Sequence, residues 1–128
     1  MLKRIVLPVD GSEQSLLAVD YARSLAQKYD SKLIILHAYP HTSDLRGYSE
    51  FSKLVAQRKS SGQEILDKAK SRLGGTSAEV EEDLLEGPAA EAILTVAETR
   101  NAELIVMATR GMGSVKGLIL GSVSLKVT

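Results

Sequence analysis

The chain alternates between short apolar runs and longer amphipathic stretches. Lys3 to Val9, with Ile5, Val6 and Leu7 adjacent, is a continuous apolar run, and so is Lys32 to Ala38, with Leu33, Ile34, Ile35 and Leu36. Runs without strict alternation predict strands covered on both faces, as in a parallel sheet. Pro8 fits only where no ladder donor is required. Glu103 to Ala108 repeats the pattern. Ser77 to Leu85 is a third candidate in chain order, with Val80, Leu84 and Leu85 broken up by acidic residues, and those charges predict an edge position.

Between the runs the apolar spacing becomes helical. Leu17, Tyr21, Leu25 and Tyr29 form a predicted inner stripe, widened by Ala18, Ala22 and Ala26. Ser12 is a suitable N-cap, and since Ser15 and not Glu or Gln follows three residues later, the cap is a simple one. A second helix is predicted from Tyr48 to Leu73 with Phe51, Leu54, Val55, Ile65, Leu66, Ala69 and Leu73 inward, weakened or bent at Ser60-Ser61-Gly62 and stopped at Gly74-Gly75. Pro88 opens a third at its first turn, with Ala89, Ile93, Val96 and Ala97 inward.

After Ala108 the predicted strand gives way to a loop holding Gly111, Gly113 and Gly117, and Gly121-Ser122-Val123-Ser124 reads as the start of one more helix. The predicted order is β-α-β-α-β-α-β-loop-α. Such alternation implies a doubly wound parallel sheet with right-handed crossovers. Ligands of these sheets bind beyond the carboxyl ends of the strands, where the strand order reverses. Pro8-Val9-Asp10-Gly11, His37-Ala38-Tyr39 and Met107 through Gly113 are the segments placed there. Unpaired backbone amides at Gly111-Met112-Gly113 and at Gly121-Ser122 suit phosphate oxygens.

Composition narrows the field. In 128 residues, 16 basic side chains balance 16 acidic ones, so no charge footprint marks nucleic acid or an anionic membrane as a partner. There is no cysteine, which excludes disulfides and thiolate chemistry. No charged-then-apolar leader opens the chain and no apolar run approaches bilayer length, so a soluble cytoplasmic domain is expected. Walker-type and G-x-G-x-x-G loops, a serine elbow and an acidic phosphoacceptor pocket are all missing from their usual places. Catalysis is not supported; slow ATP hydrolysis is the most that is expected. Asp10 serves equally as the initiator of its turn or as a ligand contact. His37, in an apolar strand, reads as a packed histidine and His41 as solvent-facing.

The chain resembles the universal stress protein family over essentially its whole length. Ile5-Val6-Leu7-Pro8-Val9-Asp10-Gly11-Ser12, Leu36-His37-Ala38 and Gly87-Pro88-Ala89-Ala90-Glu91-Ala92-Ile93 carry the resemblance, together with the ATP-binding signature formed by Gly111, the nine residues Met112 to Leu120, and Gly121-Ser122. Ala108 stands where that signature begins with glycine. The resemblance implies a single domain over residues 1–128. Its fold would be a parallel twisted sheet with helices on both faces, of the adenine nucleotide alpha hydrolase-like kind, in strand order 3-2-1-4. The family's fifth strand is expected to have no counterpart before Val127-Thr128, so that either the sequence is cut short or the fourth strand is left as an edge, and the family's usual homodimer would lack its pairing strand.

The resemblance also implies ligand roles. Asp10 with Val9 and Ala38 would meet the adenosine part of ATP, Pro8 and Met107 are further strand-end candidates for nucleotide contact, and Ala108 adds a methyl group where the backbone would pass close to a phosphate. Gly111, Gly121, Ser122, Val123 and Ser124 would hold the phosphates, with Mg2+ bridging phosphate oxygens and water and no protein metal site; Gly113 offers a further backbone amide, and Arg110 is either a phosphate contact or a solvated loop cation. Two functions follow as expectations: an ATP-binding stress-response module, or a nucleotide-independent homodimeric or partner-binding scaffold.

Overall fold

A computed structural model describes residues 2–112 and 115–122. Its elements are β1 (Arg4–Pro8), α1 (Glu13–Tyr29), β2 (Lys32–Tyr39), a 3-10 turn at Ser43–Leu45, α2 (Phe51–Leu73), β3 (Val80–Glu86), α3 (Ala89–Thr99), β4 (Leu104–Met112) and β5 (Val115–Ser122). The sheet order is β3-β2-β1-β4-β5. β1 pairs parallel with β2 and β4, and β2 pairs parallel with β3, which gives the expected order 3-2-1-4.

The apolar runs divide residue by residue between two cores. Ile5, Leu7, Leu33, Ile35 and Val106 point to the side covered by α1 and α2. Val6, Ile34, Leu36 and Ile105 point to the side covered by α3, where they meet Ile93, Val96 and Ala97. Strand side chains alternate between faces, so a strand buried on both sides needs no polar residue in its centre. β3 is an edge strand, as its charges predict. Its acids are neutralised from both sides: Lys70 of α2 reaches Glu82 at 2.6 Å, Lys32 reaches Glu81 at 2.8 Å, and Arg100 holds Asp83 through both carboxylate oxygens at 2.9 and 2.8 Å while also contacting Glu81.

Three expectations are corrected. In α1 the buried residues are Ser15, Ala18, Val19, Ala22 and Ala26, whereas Leu17, Tyr21 and Tyr29 are exposed. Small side chains let this helix lie close against β1 and β4, so the row of large residues beside them is turned outward. α2 is unbroken through Ser60-Ser61-Gly62. Gly62 is buried there, and a Cβ on it would stand 2.7 Å from Leu84 Cδ1 and 3.0 Å from His37 Cδ2. The glycine therefore marks a close approach of the helix to the sheet. Third, β4 does not end at Ala108 in a glycine loop. It continues to Met112, and β5 returns antiparallel along it, pairing Thr109 with Gly117, Ala108 with Leu118 and Ile105 with Gly121. A row of unpaired backbone groups on β4 would be costly, and the apolar segment Leu118-Ile119-Leu120 supplies the partner strand. The sheet thus has four parallel strands and an antiparallel fifth, and β4 is not an edge. Of the helix expected to open at Gly121, residues 121 and 122 lie in β5 and residues 123–128 lie outside the described residues.

Replacing Gly62 by valine adds a branched side chain where even one carbon collides. The expected cost is about 2 kcal/mol or more, read as a lower urea midpoint; an unchanged midpoint would show that α2 does not approach His37 this closely. The edge strand also predicts acid behaviour. The Glu81 carboxyl is held below its ordinary 4.5, first by the hydrogen bond from Lys32; Glu82 is lowered by Lys70 and then Gln63; Glu86 is lowered by Thr42 through its side chain and backbone. Folded values below the unfolded ones mean that this stabilisation is complete above the unfolded value and is lost as pH falls through the folded ones. Below about pH 4.5, amide protection factors should therefore fall in β3 before they fall in β1. Simultaneous loss in both strands would contradict it.

Candidate functional site

A cavity of about 130 Å³ opens at the carboxyl ends of β1, β2 and β4, at the reversal of strand order between β1 and β4. Pro8, Val9, Asp10, His37, Ala38, Met107 and Ala108 line it from the strands, and Ser15 and Ile93 from α1 and α3. Its volume matches one planar ring ligand; an engineered 150 Å³ cavity in another protein takes up benzene.

The wall is held rigidly at β1. Val9 donates its N–H to the Leu36 carbonyl at 2.8 Å, and its own carbonyl accepts from His37 Nδ1, also at 2.8 Å. A carbonyl can only accept, so the buried imidazole carries a proton on Nδ1. The ring is thus packed and hydrogen-bonded, as its apolar strand predicts. The chain then turns sharply through Gly11, whose φ of +85° suits glycine. Asp10 Oδ1 accepts the Ser12 N–H at 2.9 Å, and Ser12 Oγ accepts the Ser15 N–H at 3.1 Å, capping α1. Asp10 therefore initiates its turn and stands exposed at the rim of the cavity as well.

A second wall comes from the end of β2 and the start of α3. Gly87 donates its N–H to the Tyr39 carbonyl at 2.7 Å and is joined to Pro88 by a cis peptide. Pro88 is the N-cap of α3, one position earlier than predicted, and Ala89, at the start of the helix, faces the cavity. His41 is less free than a merely solvent-facing residue. Its Nδ1 accepts from the Ser43 N–H at 3.1 Å, while Glu86 accepts from the Thr42 N–H at 2.7 Å and hydroxyl at 2.6 Å, tying the turn after β2 to the end of β3.

Of the sequence-derived site residues, Pro8, Val9, Asp10, Ala38, Met107 and Ala108 converge on this cavity. Arg110 and Gly111 continue β4 beyond it. Gly121 and Ser122 do not join them: they pair with Ile105 and Leu104, at the opposite end of β4. Gly111 lies six residue steps along the strand from Ile105, about 20 Å, so the two proposed phosphate-binding halves do not form one site in this arrangement. Gly113, Val123 and Ser124 lie outside the described residues. Ser15, Leu36, His37, Ala89 and Ile93 line the cavity without having been singled out as ligand residues. Their positions at strand and helix ends were readable in the sequence, but the direction of each side chain was not. Among the described residues no cluster of three His, Cys, Asp or Glu could hold a metal ion, and no helix is long and apolar enough to cross a membrane.

Exchanging His37 for phenylalanine keeps a ring but leaves the Val9 carbonyl without its partner. The expected loss is about 1–3 kcal/mol in urea unfolding with an unchanged slope. Stability equal to the parent would mean that this hydrogen bond does not hold the end of β1.

Comparison with known proteins agrees with the architecture. The sequence model described as "Universal stress protein family" matches residues 1–128. A universal stress protein of Thermus aquaticus is 39% identical over 127 residues, covering 99% of this chain and 91% of that one. The crystal structure of a universal stress protein family member from Burkholderia pseudomallei is 29% identical, with a TM-score of 0.72, over 84% of this chain and 82% of that one. A universal stress protein solved in complex with cAMP is 27% identical, with a TM-score of 0.66, over 88% and 77% of the two chains. A family model that matches the whole chain, together with a relative 39% identical over 99% of it, shows that this chain belongs to the universal stress protein family.

Proposed function

We propose that this chain binds an adenine nucleotide beyond the carboxyl ends of β1, β2 and β4, and acts as a stress-response regulatory module in which the bound nucleotide stabilises one conformation. The observation that carries the reading is the ring-sized cavity at the reversal of strand order, with Asp10 at its rim. The apolar side chains of Val9, Ile93 and Met107 in the lining suit the faces of a purine, and the Asp10 carboxylate suits a ribose hydroxyl or a base N–H donor. The complex of a family relative with cAMP supports the same ligand class. ATP with Mg2+ is the ligand suggested by the Gly111 to Ser122 signature. In this reading the nucleoside part supplies most of the affinity, because Gly121 and Ser122 stand at the far end of β4. The Ser15 hydroxyl donates to the Ser12 carbonyl and the His37 ring to the Val9 carbonyl, and these engagements favour binding over turnover.

Calorimetric titration with ATP and Mg2+, AMP and cAMP tests it. Saturable binding of adenine nucleotides is expected, with GTP failing to compete. Asp10→Ala should weaken binding roughly 10- to 100-fold, the range for a charge-assisted hydrogen bond. Ala108→Phe should abolish binding by filling the cavity, and Gly121→Val should leave it unchanged. Folded protein that binds none of the three nucleotides, or an Ala108→Phe variant that binds as well as the parent, would overturn the reading.

A further inference from the structure

A second and larger cavity, of about 520 Å³, opens at the other end of the sheet, where the strands begin. Leu2 to Arg4 line it from the start of β1, Tyr29 to Lys32 from the corner between α1 and β2, and Glu79 from the approach to β3. Hydrogen bonds tie these three segments together. Ser31 Oγ donates to the Leu2 carbonyl at 2.5 Å, Lys32 donates its N–H to the Lys3 carbonyl at 2.7 Å, and Leu33 donates its N–H to the Glu79 carbonyl at 2.8 Å. The walls are therefore in place before any ligand arrives, and the volume is within the ordinary range of small-molecule pockets.

The charges that line it do not cancel one another. Lys32 is engaged, with Glu81 at 2.8 Å and Glu79 at 3.5 Å. Arg4 stands beside Lys32 in register and is half-buried, yet its guanidinium makes no ion pair or hydrogen bond among the described residues. Glu103, which adjoins it, turns Oε1 to the backbone N–H groups of Lys3 and Arg4 instead, at 3.0 and 2.8 Å. The Asp30 carboxylate is likewise unpaired among the described residues. Asp30 ends α1 in the left-handed conformation, φ 55° and ψ 47°, which glycine adopts at less cost. An unmatched cation and an unmatched anion thus line one cavity without reaching each other. Such a lining complements a ligand that carries both signs. A guanidinium grips a carboxylate through two parallel N–H bonds, and a carboxylate accepts from an ammonium. Leu2 and Tyr29 add apolar wall, the Tyr29 side chain being largely open. We propose that this cavity is a second site, independent of the nucleotide site, for a free α-amino acid with an apolar or aromatic side chain. Its carboxylate lies on Arg4, its ammonium on Asp30 and its side chain against Tyr29. A simple anion fits less well, because Asp30 and Glu79 repel it.

Charges at strand starts are also ordinary solvent contacts, and on that explanation the cavity takes no ligand. Titration of isotope-labelled protein with phenylalanine, followed by NMR, separates the two. Saturating amide shifts are expected at Leu2 to Arg4, Tyr29 to Lys32 and Glu79, with a Kd on the order of 1 mM, the scale of two charge-assisted contacts in an open cleft. Val9, Ala38 and Met107 at the nucleotide end should not shift. N-acetylphenylalanine, which lacks the ammonium, and phenylalaninamide, which lacks the carboxylate, should each bind about 10-fold more weakly or worse. Arg4→Gln and Asp30→Asn should weaken phenylalanine to the same degree with an unchanged circular dichroism spectrum, since asparagine keeps the left-handed corner. The ligand analogues test the same two contacts on the unmodified protein, so they decide the matter where a variant misfolds. No saturable shift at about 20 times that Kd, shifts at the nucleotide end instead, an acetylated ligand that binds as well as phenylalanine, or inorganic phosphate that displaces phenylalanine at equal concentration would each overturn the proposal.

Discussion

The burial of β1 and β2 on both faces is the constraint on which the rest of the structure depends. Ile5 and Leu7 belong to one core, and Val6 between them belongs to the other. Neither core forms unless the central strands are sandwiched, so helices must lie on both sides and every crossover must carry one. The same pairing fixes the site. Parallel strands end together, and the reversal between β1 and β4 opens a gap at their carboxyl ends that no crossover helix fills.

That gap is kept in shape by few groups. Val9 is held to β2 through both of its backbone polar atoms, one bond coming from the buried His37 ring. His37 in turn limits how close α2 can come, which is why Gly62 occupies the middle of a long helix despite its poor helix propensity. The glycine, the imidazole and the end of β1 form one mechanical unit, and the cavity lies directly beside it.

Charge does different work at the two edges of the sheet. β3 carries three consecutive acids, Glu81, Glu82 and Asp83, which are neutralised by Lys32, Lys70 and Arg100, so that edge is covered by ion pairs on both faces. Its side chains are only half-buried, so each pair contributes modestly to stability and serves mainly to keep the strand in register. The β4 side is closed by backbone pairing to β5 instead.

The sequence by itself determined the parallel core, its strand order through the family resemblance, the edge position of β3 and the gathering of Pro8, Val9, Asp10, Ala38, Met107 and Ala108 at one end of the sheet. These follow from apolar runs and from strand ends, which are local properties of the chain. Tertiary structure alone decided the rest. Which face of α1 is buried depended on how closely its alanines let it approach the sheet, and periodicity cannot register distance. Gly62 resembled a weak point because its reason is a contact with His37 and Leu84, far away in sequence. The segment from Thr109 to Ser122 was ambiguous by nature. Its glycines suit a phosphate loop, but the apolar runs Leu104 to Ala108 and Leu118 to Leu120 are also able to pair with each other. The choice between them rested on the unpaired edge of β4, a demand made by the sheet and not by the segment itself.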